Sequence, residues 1–243
     1  MLGLGNSLSS GGASSEFSIL DTSPELWWKF NTGQSTADQD ADGDADVLWT
    51  DQAGNYNGVG GNTGSSIVDA KEGSFSSGAW LSADDADFLR VGDESLSLTD
   101  DFTIFIIFTN HNADDTILGG GGDFMRFGLD SNAAKARFRF GDSGNSNQDN
   151  FTFDTNPSAG KQLFKIQRLA NDTMVMTQNS TTTLLAAVSC QSESFGVKRG
   201  PFGASGIADG SLYELVIYNR AVTAAESALI EADILTRNSL TAD

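Results

Sequence analysis

The sequence is poor in cysteine, proline and basic residues, and each shortage constrains what the protein can be. With 1 cysteine no disulfide can form within the chain, and with 3 prolines few strands are interrupted. Lys and Arg total 14 against 33 Asp and Glu, and the resulting net charge of −19 argues against nucleic-acid binding. No apolar run approaches the ~18 residues of a membrane span, and no charged and apolar leader opens the chain. We therefore expect no membrane insertion, and synthesis in a reducing cytoplasm.

The chain does contain the pattern of an all-β protein. From residue 25 onward, short apolar or alternating runs are separated by clusters of Gly, Asn, Asp and Ser, which is typical of strands joined by turns. The predicted strands are 26–30, 47–50, 79–81, 88–91, 102–109, 116–118, 124–129, 136–140, 162–169, 173–178, 183–188 and 212–218. The run TIFIIFT at 103–109 is apolar on both faces, so it predicts a central strand covered on both sides.

One helix is predicted, near the end of the chain. Thr223 and Glu226 have the spacing of a capping box, in which each side chain satisfies the backbone N–H of the other residue. Leu229, Ile230 and Ile234 follow as an apolar stripe at helical spacing. We expect a helix over 224–236 that packs against the strands.

The first 23 residues differ in composition from the rest and are rich in Gly and Ser. Ordering such a segment costs about 1–2 kcal/mol per residue, so it becomes ordered only where a partner holds it. We interpret residues 1–23 as an arm that lies on a neighbouring subunit, with a disordered terminus as the alternative. Residues 24–243 are long enough to form one large domain around a single core.

Six segments carry a resemblance to a known family. Residues 210–226 (GSLYELVIYNRAVTAAE) closely resemble the closing strand and following turn of laminin G-like domains, in the concanavalin A-like lectin/glucanase superfamily. Earlier segments follow in that family's order, namely 25–30 (ELWWKF), 47–58 (VLWTDQAGNYNG), the pair 87–91 and 101–108, and 165–178. The sequence departs from the family at 178–180, Gln-Asn-Ser, where Asn-Gly is frequent. The resemblance implies an all-β, concanavalin A-like jelly-roll β-sandwich of two antiparallel sheets with one C-terminal helix.

The opening of the chain carries a second resemblance. MLGLGNSLSSGG, followed by an acidic apolar stretch, is similar to the starts of virion proteins of tailed bacteriophages, especially marine ones, where an arm precedes a laminin G-like domain. This implies a non-catalytic structural subunit of the virion exterior, made in the host bacterial cytoplasm: a capsid decoration protein, or a head or tail appendage (fibre) subunit. Its partners would be major capsid or tail proteins, bound through the arm, and further copies of itself. The alternative is a carbohydrate-binding adhesion module that recognises host cell-surface glycans, and the two roles can coexist.

An acidic loop matches the start of an EF-hand-type calcium loop. Its aspartates are Asp38, Asp40, Asp42, Asp44 and Asp46. Calcium takes six to eight oxygen ligands, and alternate side chains around a tight turn at Gly43 can converge on one ion. The twelfth place holds Trp49 instead of a bidentate glutamate, with Asp51 as a possible substitute. The loop is therefore either a calcium site or a solvated acidic segment.

The tryptophans are the other candidate binding residues. Trp27 and Trp28 are adjacent in a predicted strand, so their side chains point to opposite faces. One belongs to the core, whereas the other is exposed, covered by the arm or the helix, or part of an interface or sugar platform. Trp49 and Trp80 are interpreted as core residues.

Catalytic patterns are weak. No E-x-D-x-x-E set of strand carboxylates occurs, although glycoside hydrolysis needs two carboxyl groups placed about 5–10 Å apart. His111 lacks a Ser-His-Asp or G-x-S-x-G context, and Cys190 has no histidine nearby. The glycines at 119–122 lack the Lys-Ser/Thr of a phosphate loop and predict a hairpin turn. We therefore expect no enzyme activity.

Overall fold

The structure is a computed structural model, and it describes fifteen stretches of the chain. These are residues 17–37, 47–62, 74–81, 87–90, 96, 98, 101–109, 116–119, 125–129, 136–141, 148–152, 160–179, 181–187, 201–202 and 211–240. The strands are β1 (Leu26–Trp28), β2 (Gln34–Ser35), β3 (Leu48–Trp49), β4 (Gly58–Asn62), β5 (Ser74–Ser76), β6 (Ala79–Leu81), β7 (Asp87–Arg90), β8 (Phe102–Thr109), β9 (Thr116–Gly119), β10 (Met125–Leu129), β11 (Ala136–Gly141), β12 (Gln148–Thr152), β13 (Gln162–Leu169), β14 (Thr173–Gln178), β15 (Thr181–Ala187), β16 (Pro201–Phe202) and β17 (Ser211–Tyr218). A 3-10 helix (Ile19–Thr22) precedes them and helix α1 (Ala224–Arg237) follows.

The main sheet is antiparallel, in the order β15-β14-β13-β8-β17-β6-β5. Strand β1 also pairs with β17, on the edge that β6 occupies farther along, so β1 and β6 meet end to end beside β17. The long strand β8 pairs with β13 on one side and β17 on the other, and every residue of Phe102–Phe108 is buried. The predicted central strand is thus confirmed.

A second layer faces the main sheet. It consists of a sheet in the order β12-β11-β10-β9 and a sheet in the order β16-β7-β4-β3-β2, and β16 lies against β9. The rings of Trp28 and Trp49 stack between the layers with centroids 6.0 Å apart, and Phe102 meets Phe138 edge-on at 6.3 Å. The predicted all-β sandwich with a C-terminal helix is confirmed.

Helix α1 covers the outer face of the main sheet. The predicted capping box is present: Thr223 Oγ1 accepts from Glu226 N at 3.2 Å, and Glu226 Oε2 accepts from Thr223 N at 2.7 Å. Ile230 and Ile234 are fully buried, but Leu229, which we placed in the same stripe, is 51% exposed. The correction follows from helical geometry, because Leu229 lies about 100° around the axis from Ile230. No helix among the described residues is long and apolar enough to cross a membrane.

The last residues of the predicted arm contact the same chain. Ile19 is fully buried in the cluster beneath α1, and the hydroxyls of Thr22 and Tyr218 lie 2.7 Å apart. Arg220 Nη2 donates to the carbonyl oxygen of Thr22 at 2.8 Å. Residues 17–23, predicted as part of an arm on a neighbouring subunit, therefore pack on their own chain, and residues 1–16 lie outside the described part of the chain.

Candidate functional site

Several residues singled out from the sequence lie outside the described part of the chain. These are the acidic loop Asp38–Asp46, His111 and Cys190. Among the residues that the structure does describe, no group of three or more His, Cys, Asp or Glu side chains is arranged to hold a metal ion. The calcium loop thus stays a prediction of the sequence.

Asp51, considered above as a substitute calcium ligand, has a different role. It is 3% exposed, and its Oδ1 accepts from Trp27 N at 2.7 Å and from Ala53 N at 2.9 Å. Its Oδ2 accepts from Asn55 N at 2.9 Å and from Tyr56 N at 2.8 Å. Four backbone donors on one carboxylate hold the turn that follows β3, so Asp51 is a structural residue.

The two adjacent tryptophans point to opposite faces, as predicted. Trp28 lies in the core between the layers, and Trp27 is buried beneath α1. The indole Nε1 of Trp27 donates to Glu214 Oε1 at 2.8 Å, and the guanidinium of Arg237 lies 5.4 Å from its ring centroid. Of the alternatives for the second tryptophan, Trp27 is therefore the one covered by the helix. It is not exposed as a platform for a sugar. Trp49 is a core residue, as predicted, and Trp80 lies on β6 opposite Leu212.

A groove of about 820 Å³ runs between α1 and strands β13 and β14. Its charged floor is already paired, because Lys165 Nζ donates to Glu231 Oε1 at 2.8 Å and to Ser227 Oγ at 2.9 Å. The amide of Gln167 donates to Val222 O at 2.8 Å. These contacts join the helix to the sheet and leave few polar groups of the floor for a ligand.

A second cavity, of about 380 Å³, is polar and lies where β1 and β6 meet; we call it the cleft. Its lining residues are Asn31, Gly33, Gln34, Ser35, Thr36, Phe75, Ser77 and Gly78. Two tight turns form it, one after β1 and one between β5 and β6. Asn31 (φ 51°) and Gly33 (φ 71°) lie in the first turn, and Ser77 (φ 51°) and Gly78 (φ 81°) in the second. Gly78 is required by space as well, since a Cβ there would lie 2.6 Å from the ring of Phe30.

The two turns are tied to each other through one carbonyl. Gly78 O accepts from Gln34 Nε2 at 2.9 Å and from Asn31 N at 3.4 Å. The side chains of Asn31, Thr36 and Ser77, by contrast, form no hydrogen bond with another described residue. An amide and two hydroxyls can each donate and accept, which suits ligands that carry many hydroxyl groups.

A cationic aromatic cluster adjoins the cleft. Lys161 Nζ lies 4.4 Å from the ring centroid of Phe30 and 4.2 Å from that of Tyr213, and the two rings are 6.1 Å apart. Burial lowers the pKa of Lys161 from its ordinary value of 10.5. Sequence reasoning missed this cluster, because its members are distant in sequence and only the order of β1, β17 and β13 brings them together.

Comparisons with known proteins agree on the architecture. No family model matches the chain, and no curated protein sequence matches it. Its fold is similar to the receptor binding domain of botulinum neurotoxin C/D mosaic serotype, with a TM-score of 0.60 and 10% identity over 88% of this chain and 52% of that one. The ligand binding domain of botulinum neurotoxin serotype D, solved in complex with N-acetylneuraminic acid, gives a TM-score of 0.56 and 10% identity over 87% and 51%. A sialidase of Trypanosoma rangeli gives a TM-score of 0.52 and 12% identity over 91% and 34%.

These likenesses concern the fold and a limited length. The chain spans about half the length of the neurotoxin domains and about a third of the sialidase. At 10–12% identity no residue role is carried over from them. What they establish for this chain is a lectin-like β-sandwich.

Proposed function

We propose that this chain is a non-catalytic glycan-binding module, which attaches a larger assembly to cell-surface carbohydrate through the cleft. The observation that carries the proposal is a set of unbonded polar side chains: Asn31 and Ser77 on the two turns, and Thr36 directly after β2. Turns whose carbonyls and amides are already bonded present such groups with little loss of conformational entropy on binding. Neurotoxin domains of similar fold, one of them solved with N-acetylneuraminic acid, support the glycan as ligand.

The chemistry of the cleft supports binding without hydrolysis. Among the described residues, the side chains that line it are amides, hydroxyls and one phenyl ring, whereas cleaving a glycosidic bond requires two carboxyl groups that flank it. The buried carboxylates of Asp51 and Glu214 are occupied by structural donors. We therefore assign no acid or base to this site, and the sialidase is a neighbour in fold alone.

A binding experiment with a matched control tests the site. Asn31→Gly with Thr36→Ala removes two polar side chains, and glycine is compatible with the φ of 51° at position 31. Asn171→Gly, in the exposed turn between β13 and β14, is the control. Wild type and control are expected to be retained on at least one of immobilised laminarin, agarose, alginate or bacterial lipopolysaccharide. The double variant should bind at least about tenfold more weakly, from the loss of one or two hydrogen bonds.

Two results would contradict the proposal. One is equal retention of the double variant and wild type on every polymer that binds. The other is release of reducing ends by the wild type above a heat-inactivated sample, which would place the chain among enzymes.

For the assembly that carries the module, we propose the exterior of a tailed-phage virion, either the capsid surface or a head or tail appendage. Supporting this are the resemblance of the opening residues and the Gly/Ser composition of 1–16. Residues 17–23 are anchored beside α1, so the arm would leave from the helix-covered face and reach a capsid or tail protein or another copy of the chain.

Deleting residues 1–15 tests the role of the arm without altering the folded domain. Because residues 17–23 keep their contacts with Tyr218 and Arg220, the melting temperature should not change, while incorporation into particles should be lost. Full occupancy of particles by the truncated chain would refute the role of the arm, and the glycan-binding proposal would be unaffected.

A further inference from the structure

Lys161 is a cation with no anionic partner among the described residues of a strongly acidic chain. The chain carries 33 acidic residues, yet the ammonium of Lys161 forms no ion pair with any described residue and lies over the rings of Phe30 and Tyr213. Lys165, four residues along, shows the opposite arrangement, with Glu231 at 2.8 Å. A lysine on this face can therefore form an ion pair, as Lys165 does, whereas Lys161 forms none with a described residue.

The surroundings of Lys161 partly dehydrate its ammonium group, which strengthens its attraction for an anion. It is half-buried, and the lowered pKa reflects the free energy that partial dehydration of the ammonium costs. Contact with two ring faces offsets part of that cost without neutralising the charge. An anion that arrives at such a group displaces less water than at a fully solvated lysine, so the electrostatic gain on binding is larger.

The Lys161 ammonium lies beside the cleft. Phe30, whose ring lies under Lys161, also packs against Gly78, and both Gly78 and Asn31 line the cleft. A ligand longer than one sugar unit in the cleft can therefore extend past Phe30 toward the ammonium. The free hydroxyls and amide recognise sugar hydroxyls. The lysine adds a local preference for negative charge, which at contact distance outweighs the screened long-range repulsion from a chain of net charge −19.

We propose that the cleft selects an anionic oligosaccharide, with sugar hydroxyls on Asn31, Thr36 and Ser77 and the acidic substituent on Lys161. This inference rests on the proposed glycan-binding function and adds the class of ligand. The acidic substituent is a carboxylate or a sulfate ester, two chemistries that share the charge but differ in their source among surface polysaccharides.

Lys161→Gln, Lys161→Arg and Lys29→Gln test this selectivity. Lys29 is the control, because its ammonium also lies on an aromatic ring, 4.9 Å from the centroid of Trp27, and its removal changes the net charge equally. Affinities are measured by calorimetry for alginate oligosaccharides (carboxylate), carrageenan oligosaccharides (sulfate), and neutral laminarin and agarose oligosaccharides. Thermal melting of each variant checks the fold, and Lys161→Gln should melt no lower than wild type, since it removes a dehydrated charge.

The expected result is binding of one acidic probe at least about tenfold tighter than the neutral ones, with that preference lost in Lys161→Gln and kept in Lys161→Arg and Lys29→Gln. Which acidic probe binds identifies the substituent. If glycans bind and Lys161→Gln leaves the acidic-to-neutral ratio unchanged, the inference is wrong and the glycan-binding function stands. If the wild type binds no probe of either kind, both fail.

Discussion

The helix-covered face of the main sheet and the cleft at its end hold their polar side chains in opposite ways. Beneath α1, Glu214 is 1% exposed and bonds to Trp27, Arg237 and Asn238. At the cleft, Asn31 has a side chain that is bonded to no other described residue. Buried polar groups without partners are costly, so the first face needs its network to remain folded. The second carries no such requirement, and its free groups are available to a ligand.

The largest effect on stability is expected at Glu214. All four contacts of its carboxylate come from donors: Trp27 Nε1, Arg237 Nη2 and Nε, and Asn238 Nδ2. In Glu214→Gln an amide N–H would face a donor in either orientation, so the free energy of unfolding should fall by about 3–5 kcal/mol. Denaturant melts measure this loss.

Asp172→Asn is the matched control for Glu214→Gln. It neutralises a carboxylate that is 63% exposed, and the amide oxygen of asparagine can still accept from the buried Arg168, so the loss should stay at about 1 kcal/mol. Equal free energies of unfolding for the two variants would show that the buried network beneath α1 contributes no more to stability than an exposed carboxylate.

A smaller effect is expected from calcium at the acidic loop, which follows the cleft residue Thr36 in the chain. Metal that binds only the folded state stabilises it by about 2.7 kcal/mol at a hundredfold excess over Kd. Millimolar calcium should then raise the melting temperature, chelator should lower it, and Asp40→Asn with Asp42→Asn should remove the response. If neither calcium nor chelator changes the melting temperature, the loop is a solvated acidic segment and not a calcium site.

The smallest effect on stability is expected at the cleft. Asn31→Gly with Thr36→Ala removes exposed side chains that support no other described residue, so the free energy of unfolding should change by less than about 0.5 kcal/mol. Differential scanning calorimetry checks this in the preparation used for binding. A loss comparable to that of Glu214→Gln would make the cleft a structural element of the fold.

Elements with strong local signals were predictable from the sequence. Strands β8, β13 and β14 match their predicted bounds, because long apolar or alternating runs specify burial. The capping box placed the start of α1, and the helix extends to Arg237, one residue beyond the prediction. The adjacent tryptophans correctly indicated side chains on opposite faces of one strand, with one of them in the core and the other covered by the helix as one of the alternatives.

Short and glycine-rich elements were not predictable. Strands β2 (Gln34–Ser35) and β4 (Gly58–Asn62) lack apolar alternation, and pairing with β3 holds them in the sheet. The cleft and Lys161 depend on the meeting of β1 and β6 beside β17, which is a property of topology. Such sites have no local pattern that a single sequence displays.

The central claim is that ligand binds at the cleft, and amide chemical-shift mapping tests it most directly. The isotope-labelled full chain would be titrated with oligosaccharides of whichever polymer retains it. The account predicts that the largest shifts fall on residues 31–36 and 75–78 and on Lys161, with α1 unperturbed. Shifts centred on the groove beside α1, around Ser227 and Glu231, would contradict it.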